Sequence, residues 1–220
     1  FSSDIRDFMN KFVDSIRDQG FGLMGRDQVL KTCLLLTESN PAFALKNFSK
    51  SNIYKIEDNW LLITNQIYNA ITLLQNFGYR DRLSSAYIIT SVAFYLYKHN
   101  NISDEDKSEI LKFVRAAQIK GYFSSSLDSK LETVAKAIRN CNSFKDVNLQ
   151  LYSNPTHPLL LTEDDIERMV DLQYGAPAVL PVLQILYPNL DYKNSTFHID
   201  HIYPKSKFHD KNSKLDANYL

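Results

Sequence analysis

Helical periodicity of apolar residues is the feature that most constrains the fold of this chain. In the first stretch, Ile5, Phe8 and Phe12 fall on one face at a 3.6-residue spacing, and Asp and Arg residues occupy the opposite face. The same spacing predicts further helices over residues 27–37, 56–76, 81–99, 103–120 and 127–140. We therefore expect a mainly α fold, with a multi-helix domain over residues 1–145.

Two details refine this helical prediction. The 81–99 segment is nearly apolar from Tyr87 to Tyr97, which predicts a central helix buried on all sides. Ser103 is followed three residues later by Asp106, the spacing of a capping box, so a helix is expected to begin there.

The chain changes character at about Asn142. Asn-Pro and His-Pro pairs predict a loop over residues 142–161 that could hold one short strand. Thr162 followed by Asp165 has the same capping spacing and predicts a helix over 163–172, and another helix is expected over 178–186. After Asn194 the pattern has the two-residue period of a strand, since Phe197 and Ile199 alternate with polar residues. We predict a second domain over residues 146–220, helical with a small and incomplete ββα element.

Composition excludes some classes of function. Lys plus Arg equals Asp plus Glu at 25 each, so overall charge does not favour a non-specific nucleic-acid binder. Cys33 and Cys141 form no CxxC pair, which favours free thiols in a reducing, cytoplasmic compartment. No apolar run reaches the roughly 18 residues of a membrane span, so no membrane partner is expected. The first residue is Phe1 rather than Met, which suggests a piece of a longer protein.

The segment Phe197–Ser206 carries the residues most suited to chemistry. On a strand, His198 and Asp200 would project from one face, and His201 would follow at the strand end. Carboxylate and imidazole groups bind Mg²⁺, Mn²⁺ or Zn²⁺, and a neutral imidazole can accept a proton from water. These groups suit metal-assisted hydrolysis of a phosphodiester. The residues alone leave two alternatives open: a strand end with hydrogen-bonded side chains, and a structural zinc site that includes His209.

The run Asp200-His201-Ile202-Tyr203-Pro204-Lys205-Ser206 resembles the first strand and loop of the HNH, or ββα-metal, endonuclease motif, in its Asp-His-Ile-x-Pro-[Gln/Lys]-Ser form. The longer stretches from Tyr174 to Pro188 and from Phe197 to Phe208 resemble the C-terminal nuclease domain of GmrSD-like proteins. These are modification-dependent (type IV) restriction enzymes and relatives in bacterial phage defence. The resemblance implies a metal-dependent DNA endonuclease acting on double-stranded DNA, either modified or of phage origin.

The resemblance also implies a role for each matching residue. Asp200 would be a metal ligand, with Mg²⁺ or Mn²⁺ expected and Zn²⁺ as the alternative. His201 would be the general base that activates water. His198 would be a second metal ligand or a phosphate contact. Asn218 matches the middle asparagine of the H-N-H pattern, whose side chain braces the loop between the two strands.

Basic residues follow the motif closely. Lys205 and Ser206 come directly after Pro204, where they would contact a phosphate. Further lysines continue to Lys214, but Asp210 and Asp216 lie among them, so a solvated polar loop is an equal alternative.

Parts of the family pattern do not match this sequence. The third signature residue, an Asn or His on the following helix, would fall beyond Leu220. The family's N-terminal nucleotide-binding domain, with its Asp-Gly-Gln-Gln-Arg signature, has no counterpart in residues 1–60. Any nucleotide requirement would reside in that absent domain. We therefore expect these 220 residues alone to be inactive, or nearly so, as a nuclease. The alternative function is a helical DNA-positioning or protein-interaction module with a degenerate nuclease motif.

Overall fold

The computed structural model of the protein describes residues 3–38, 47, 49–80, 82–173 and 175–195. Over these residues the fold consists of α-helices joined by turns and short 3₁₀ segments, and no strand is present in the described part. The helices are α1 Ser3–Asp18, α2 Arg26–Leu36, α3 Lys50–Asp58, α4 Trp60–Asn76, α5 Ala86–Lys98, α6 Asp104–Ile119, α7 Leu127–Asn140, α8 Phe144–Tyr152, α9 Glu163–Val170 and α10 Val179–Leu186. The predicted mainly α class is confirmed, whereas the predicted ββα element falls outside the described residues.

Helix α5 lies at the centre of the helical packing, as its apolar sequence predicts. Every residue from Ala86 to Leu96 is buried, and the helix contacts α2, α4 and α7. Its buried hydroxyl groups are satisfied internally. The Thr90 hydroxyl lies 2.8 Å from that of Thr32 on α2, and Ser91 donates to a carbonyl one turn earlier. Apolar burial on all faces thus makes α5 the element around which the others pack.

The predicted boundaries of α5 and α4 are partly wrong. Helix α5 begins at Ala86 rather than near residue 81, because the Ser85 side chain accepts a hydrogen bond from the Tyr87 N–H and caps it there. The predicted 56–76 helix is two helices separated at Asn59. The Asn59 side chain donates to the Lys55 carbonyl at 2.8 Å, which competes with continued helix formation.

Helix α8 was predicted as a loop, and that prediction is wrong. Ser143 caps it by accepting from the Asp146 N–H at 3.2 Å. Phe144, Val147 and Leu151 recur at helical spacing and are buried, and the helix contacts α6 and α7. Tertiary packing outweighs the Asn and Pro residues that flank the segment. The predicted domain boundary at residue 145 falls inside this helix.

The two predicted capping boxes are confirmed. In α6 the Ser103 side chain accepts from the Asp106 N–H at 3.0 Å, and Asp106 accepts from the Ser103 N–H at 3.1 Å. In α9 Thr162 and Asp165 make the same reciprocal pair. Both boxes satisfy backbone N–H groups that would otherwise lack a partner at a helix start.

The last two helices bring the chain to the predicted motif. Asp165 on α9 is 2% exposed and pairs with Lys120 at 2.6 Å, which joins α9 to the end of α6. Helix α10 packs on α6. No helix in the described ranges is long and apolar enough to cross a membrane.

Candidate functional site

The residues with predicted catalytic, metal-binding and phosphate-binding roles all lie outside the described residues. They are His198, Asp200, His201, Lys205, Ser206 and Asn218. The alternative zinc ligand His209 lies there as well. Within the part of the chain that the structure describes, no group of three or more His, Cys, Asp or Glu side chains is placed to hold a metal ion. The structure therefore describes the part of the molecule that precedes this motif in the chain.

Residues 191–195, called the entry turn below, form a hydrogen-bonded turn directly before the motif. The Asp191 carboxylate accepts from the backbone N–H groups of Lys193 at 3.2 Å and Asn194 at 3.0 Å, and from the Asn194 side chain. The Ser195 N–H then donates to the Asp191 carbonyl. Hydrogen bonds from Asn194 lower the pKa of the Asp191 carboxyl. The turn therefore has a defined shape at neutral pH.

Tyr192 attaches the entry turn to the helical body. Its hydroxyl lies 3.2 Å from the Leu183 carbonyl oxygen and 3.0 Å from that of Tyr187, at the end of α10. On its other side Tyr192 approaches the backbone of Gly78, which adopts φ +86° after α4. A Cβ atom at position 78 would lie 2.9 Å from the Tyr192 Cβ atom and 3.0 Å from its carbonyl oxygen. Only glycine leaves room for this contact.

Gln184 joins three elements beneath the entry turn. Its side chain is 1% exposed, and its Oε1 atom accepts from the Tyr79 hydroxyl at 2.9 Å and from Arg115 Nε at 3.2 Å. Its Nε2 atom donates to the Phe77 carbonyl at 2.6 Å. One buried amide thus connects the end of α4, the middle of α6 and α10, and both of its polar atoms have partners.

Arg115 is the charged member of this network. It is half-buried, and burial lowers the pKa of its guanidinium, an effect that the neighbouring Tyr79 and Tyr192 hydroxyls partly offset. Burial in turn raises the pKa of Tyr192. Among the described residues Arg115 forms no ion pair. The Arg115 guanidinium therefore lies within electrostatic range of Tyr192 in the entry turn.

The described histidines and cysteines have structural surroundings. The His99 ring packs on Tyr95 with 4.4 Å between ring centroids, and His157 Nε2 lies 3.0 Å from the Ser129 hydroxyl. Cys33 is fully buried, and burial raises the pKa of its thiol to about 12. Burial also raises the pKa of Cys141. Neither thiol is suited to act as a nucleophile or metal ligand at neutral pH.

The hydrogen-bond network of Gln184, Tyr79 and Arg115 was not predicted from the sequence, although the sequence contains one signal for it. Gln184 is a single polar residue within the otherwise apolar helix Val179–Leu186. A polar residue in such a position must find buried partners, so it indicates a hydrogen-bond network. Nothing local to Arg115 or Tyr79 marks them as its partners, because 69 and 105 residues separate them from Gln184.

No protein-family model matches this chain, and a comparison with curated proteins finds no match.

Proposed function

We propose that this chain carries the first strand and loop of an HNH-type metal-dependent DNA endonuclease of bacterial restriction or phage defence. The observation that carries the proposal is the run from Phe197 to Ser206, which combines a carboxylate, two imidazoles and a Pro-Lys-Ser sequence within ten residues. Asp200 and His198 would bind Mg²⁺ or Mn²⁺, and His201 would accept a proton from the attacking water. A third ligand would come from a helix after Asn218.

The surroundings of the entry turn support this proposal. An endonuclease must hold its metal-binding strand in a fixed position relative to the surface that binds DNA. Tyr192 and Asp191 fix the backbone of the entry turn, and the Arg115 guanidinium interacts electrostatically with the Tyr192 side chain of that turn. A cation at this place would favour the approach of a polyanion.

The test is plasmid cleavage by the protein produced from its complete reading frame, with Mg²⁺ or Mn²⁺. We expect the His201→Ala variant to lose cleavage by at least about 100-fold, the effect of removing a general base. Asp200→Asn should raise the metal concentration needed for half-maximal cleavage. His209→Ala is the matched control, because the resemblance assigns it no role in a Mg²⁺ site. Undiminished cleavage by both His201→Ala and Asp200→Asn would refute the proposal.

A second candidate function is a helical interaction module with a degenerate motif. Its supporting observation is a set of exposed apolar side chains on and after α10, with Leu186 at 64%, Tyr187 at 56% and Leu190 at 46% exposure. On this view Leu186→Asp would abolish binding to DNA or to a protein partner, and His201→Ala would leave binding intact. If the protein is an active nuclease, His201→Ala would abolish cleavage, whereas Leu186→Asp would leave it intact.

A further inference from the structure

A cleft lined in part by Arg115 has the properties of a ligand site. It has a volume of about 260 Å³ and lies between α6, the end of α8, the loop after it and α10. Its walls are chiefly apolar, formed by Tyr152, Leu159, Leu161 and Ile185, and Arg115 is one of the charged residues that line it. A mostly apolar cleft with one charged group is the usual composition of a small-molecule site, and this one is smaller than the roughly 300 Å³ of drug-sized pockets.

A hydrogen bond holds one edge of the Arg115 guanidinium in place. Its Nε atom donates to Gln184 Oε1, and Gln184 is itself fully bonded to Tyr79 and Phe77. The two terminal nitrogens make no hydrogen bond with another described residue, and neither is a buried atom lacking a partner. They therefore form an accessible pair of donors, the fork that matches the two oxygens of a carboxylate.

The other charges near the cleft are already compensated. Lys112 also lines it, but its ammonium pairs with Glu109 at 2.6 Å, and Glu109 accepts from Asn148 on α8. Lys120 pairs with Asp165 and also donates to the Leu160 carbonyl at 3.0 Å, which holds the loop that forms one wall. Among the described residues around the cleft, Arg115 is thus the one positive charge without an acidic partner, which suits a monoanion better than a doubly charged phosphate.

We propose that this cleft binds a small organic carboxylate. The carboxylate would receive two hydrogen bonds from the terminal nitrogens of Arg115, and the apolar body of the ligand would lie against Leu159, Leu161 and Ile185. A charge-assisted pair of hydrogen bonds gives direction, and the apolar walls add affinity in proportion to the surface they cover.

Hexanoate is a suitable probe, with hexanol, acetate and inorganic phosphate as comparisons. Binding is followed by NMR through the Nε–H resonance of Arg115 and the methyl resonances of Leu159 and Ile185. We expect saturable binding of hexanoate, and binding at least about tenfold weaker for hexanol, which lacks the charge. Acetate should also bind more weakly, because it lacks the apolar body. Phosphate binding tighter than hexanoate, or absence of saturable hexanoate binding, would overturn the proposal.

Two variants and one control locate the site. Arg115→Gln should weaken hexanoate binding at least about tenfold, since the fork and charge are lost. Lys112→Gln is the matched control one turn away; its charge is compensated, so hexanoate binding should change little. Ile185→Glu at the exposed wall would supply an internal carboxylate for Arg115 and compete with the probe, which keeps the test informative if Arg115→Gln unfolds. Unchanged binding in both Arg115→Gln and Ile185→Glu would place the ligand elsewhere and refute the assignment.

Discussion

At the scale of single residues, Gly78 is the position on which the geometry before the motif depends most. Its backbone has φ +86°, and a side chain there would meet the Cβ atom and the backbone of Tyr192 rather than a flexible side-chain end. The neighbouring Gln184 side chain supports this contact through a hydrogen bond that joins α10 to the end of α4. Helix α10 in turn provides the Leu183 carbonyl to which the Tyr192 hydroxyl donates.

Gly78 and Gly175 adopt nearly equal φ angles but have different surroundings. Gly175 adopts φ +84°, and a Cβ there would meet nothing within 4 Å. Gly175→Ala should therefore cost only about 1–2 kcal/mol of unfolding free energy, from the left-handed backbone alone. Gly78→Ala should cost about 1–3 kcal/mol more, because it also displaces Tyr192. Urea unfolding of both variants measures the difference. Equal losses would show that Tyr192 does not pack on Gly78 in solution.

At the scale of elements, the start of α6 connects three helices through one carboxylate. Asp106 caps α6 through Ser103, accepts from the Tyr95 hydroxyl of α5 at 2.9 Å, and accepts from the Phe144 N–H at the start of α8 at 2.9 Å. Burial raises the pKa of Asp106, but these hydrogen bonds outweigh it and lower the pKa below its ordinary value. Helix boundaries and helix packing are thus set by the same group.

The stability that Asp106 contributes to the fold should depend on pH. A lowered pKa in the folded state means that Asp106 contributes stability above its unfolded pKa of about 3.9, and that this contribution is lost as pH falls through the lower folded value. Asp106→Asn should therefore reduce the free energy of unfolding by about 1–3 kcal/mol at pH 7, and by progressively less in acid. Asp146→Asn, at the same position of the α8 cap but without the bonds to α5, is the control. A loss for Asp106→Asn that is constant from neutral to acid pH would contradict this account.

Sequence reasoning succeeds for elements whose signals are local. The capping pairs Ser103–Asp106 and Thr162–Asp165 were predicted from their three-residue spacing. The burial of α5 was predicted from its apolar sequence. It failed for α8, where flanking Asn and Pro residues suggested a loop although Phe144, Val147 and Leu151 had helical spacing. The Arg115–Gln184–Tyr79 network could not be predicted, since its members come together only through the packing of α6 on α10. The roles proposed for Asp200 and His201 remain predictions from the motif.

At the scale of the whole molecule, the helices share one continuous core around α5. Buried residues from α1 to α8, together with Leu159 and Leu180, belong to a single apolar cluster. Cys33 on α2 is part of it, with 0% exposure, whereas Cys141 after α7 is 8% exposed. A single core of this kind predicts cooperative unfolding, in which deep positions become accessible together.

Thiol labelling tests that cooperativity. At pH 8 we expect Cys33, studied in a Cys141→Ser variant, to react with a disulfide reagent only through global opening, because its side chain is buried and its thiol pKa is raised to about 12. Cys141, studied in a Cys33→Ala variant, should react faster. The free energy of opening from the Cys33 rate should equal that from urea unfolding of the same variant. Labelling of Cys33 at a rate close to that of the unfolded chain would indicate a loosely packed core.

The attachment of Tyr192 limits where a substrate of the proposed nuclease would lie. Each residue extends a polypeptide by at most ~3.6 Å, so Asp200, five residues after Ser195, can lie no more than about 18 Å from it. That radius is shorter than one turn of duplex DNA, about 34 Å. A scissile phosphate held at Asp200 would therefore lie within about 20 Å of the entry turn. A duplex bound there would have to pass this end of the helical body, which restricts its possible paths before any sequence is recognised.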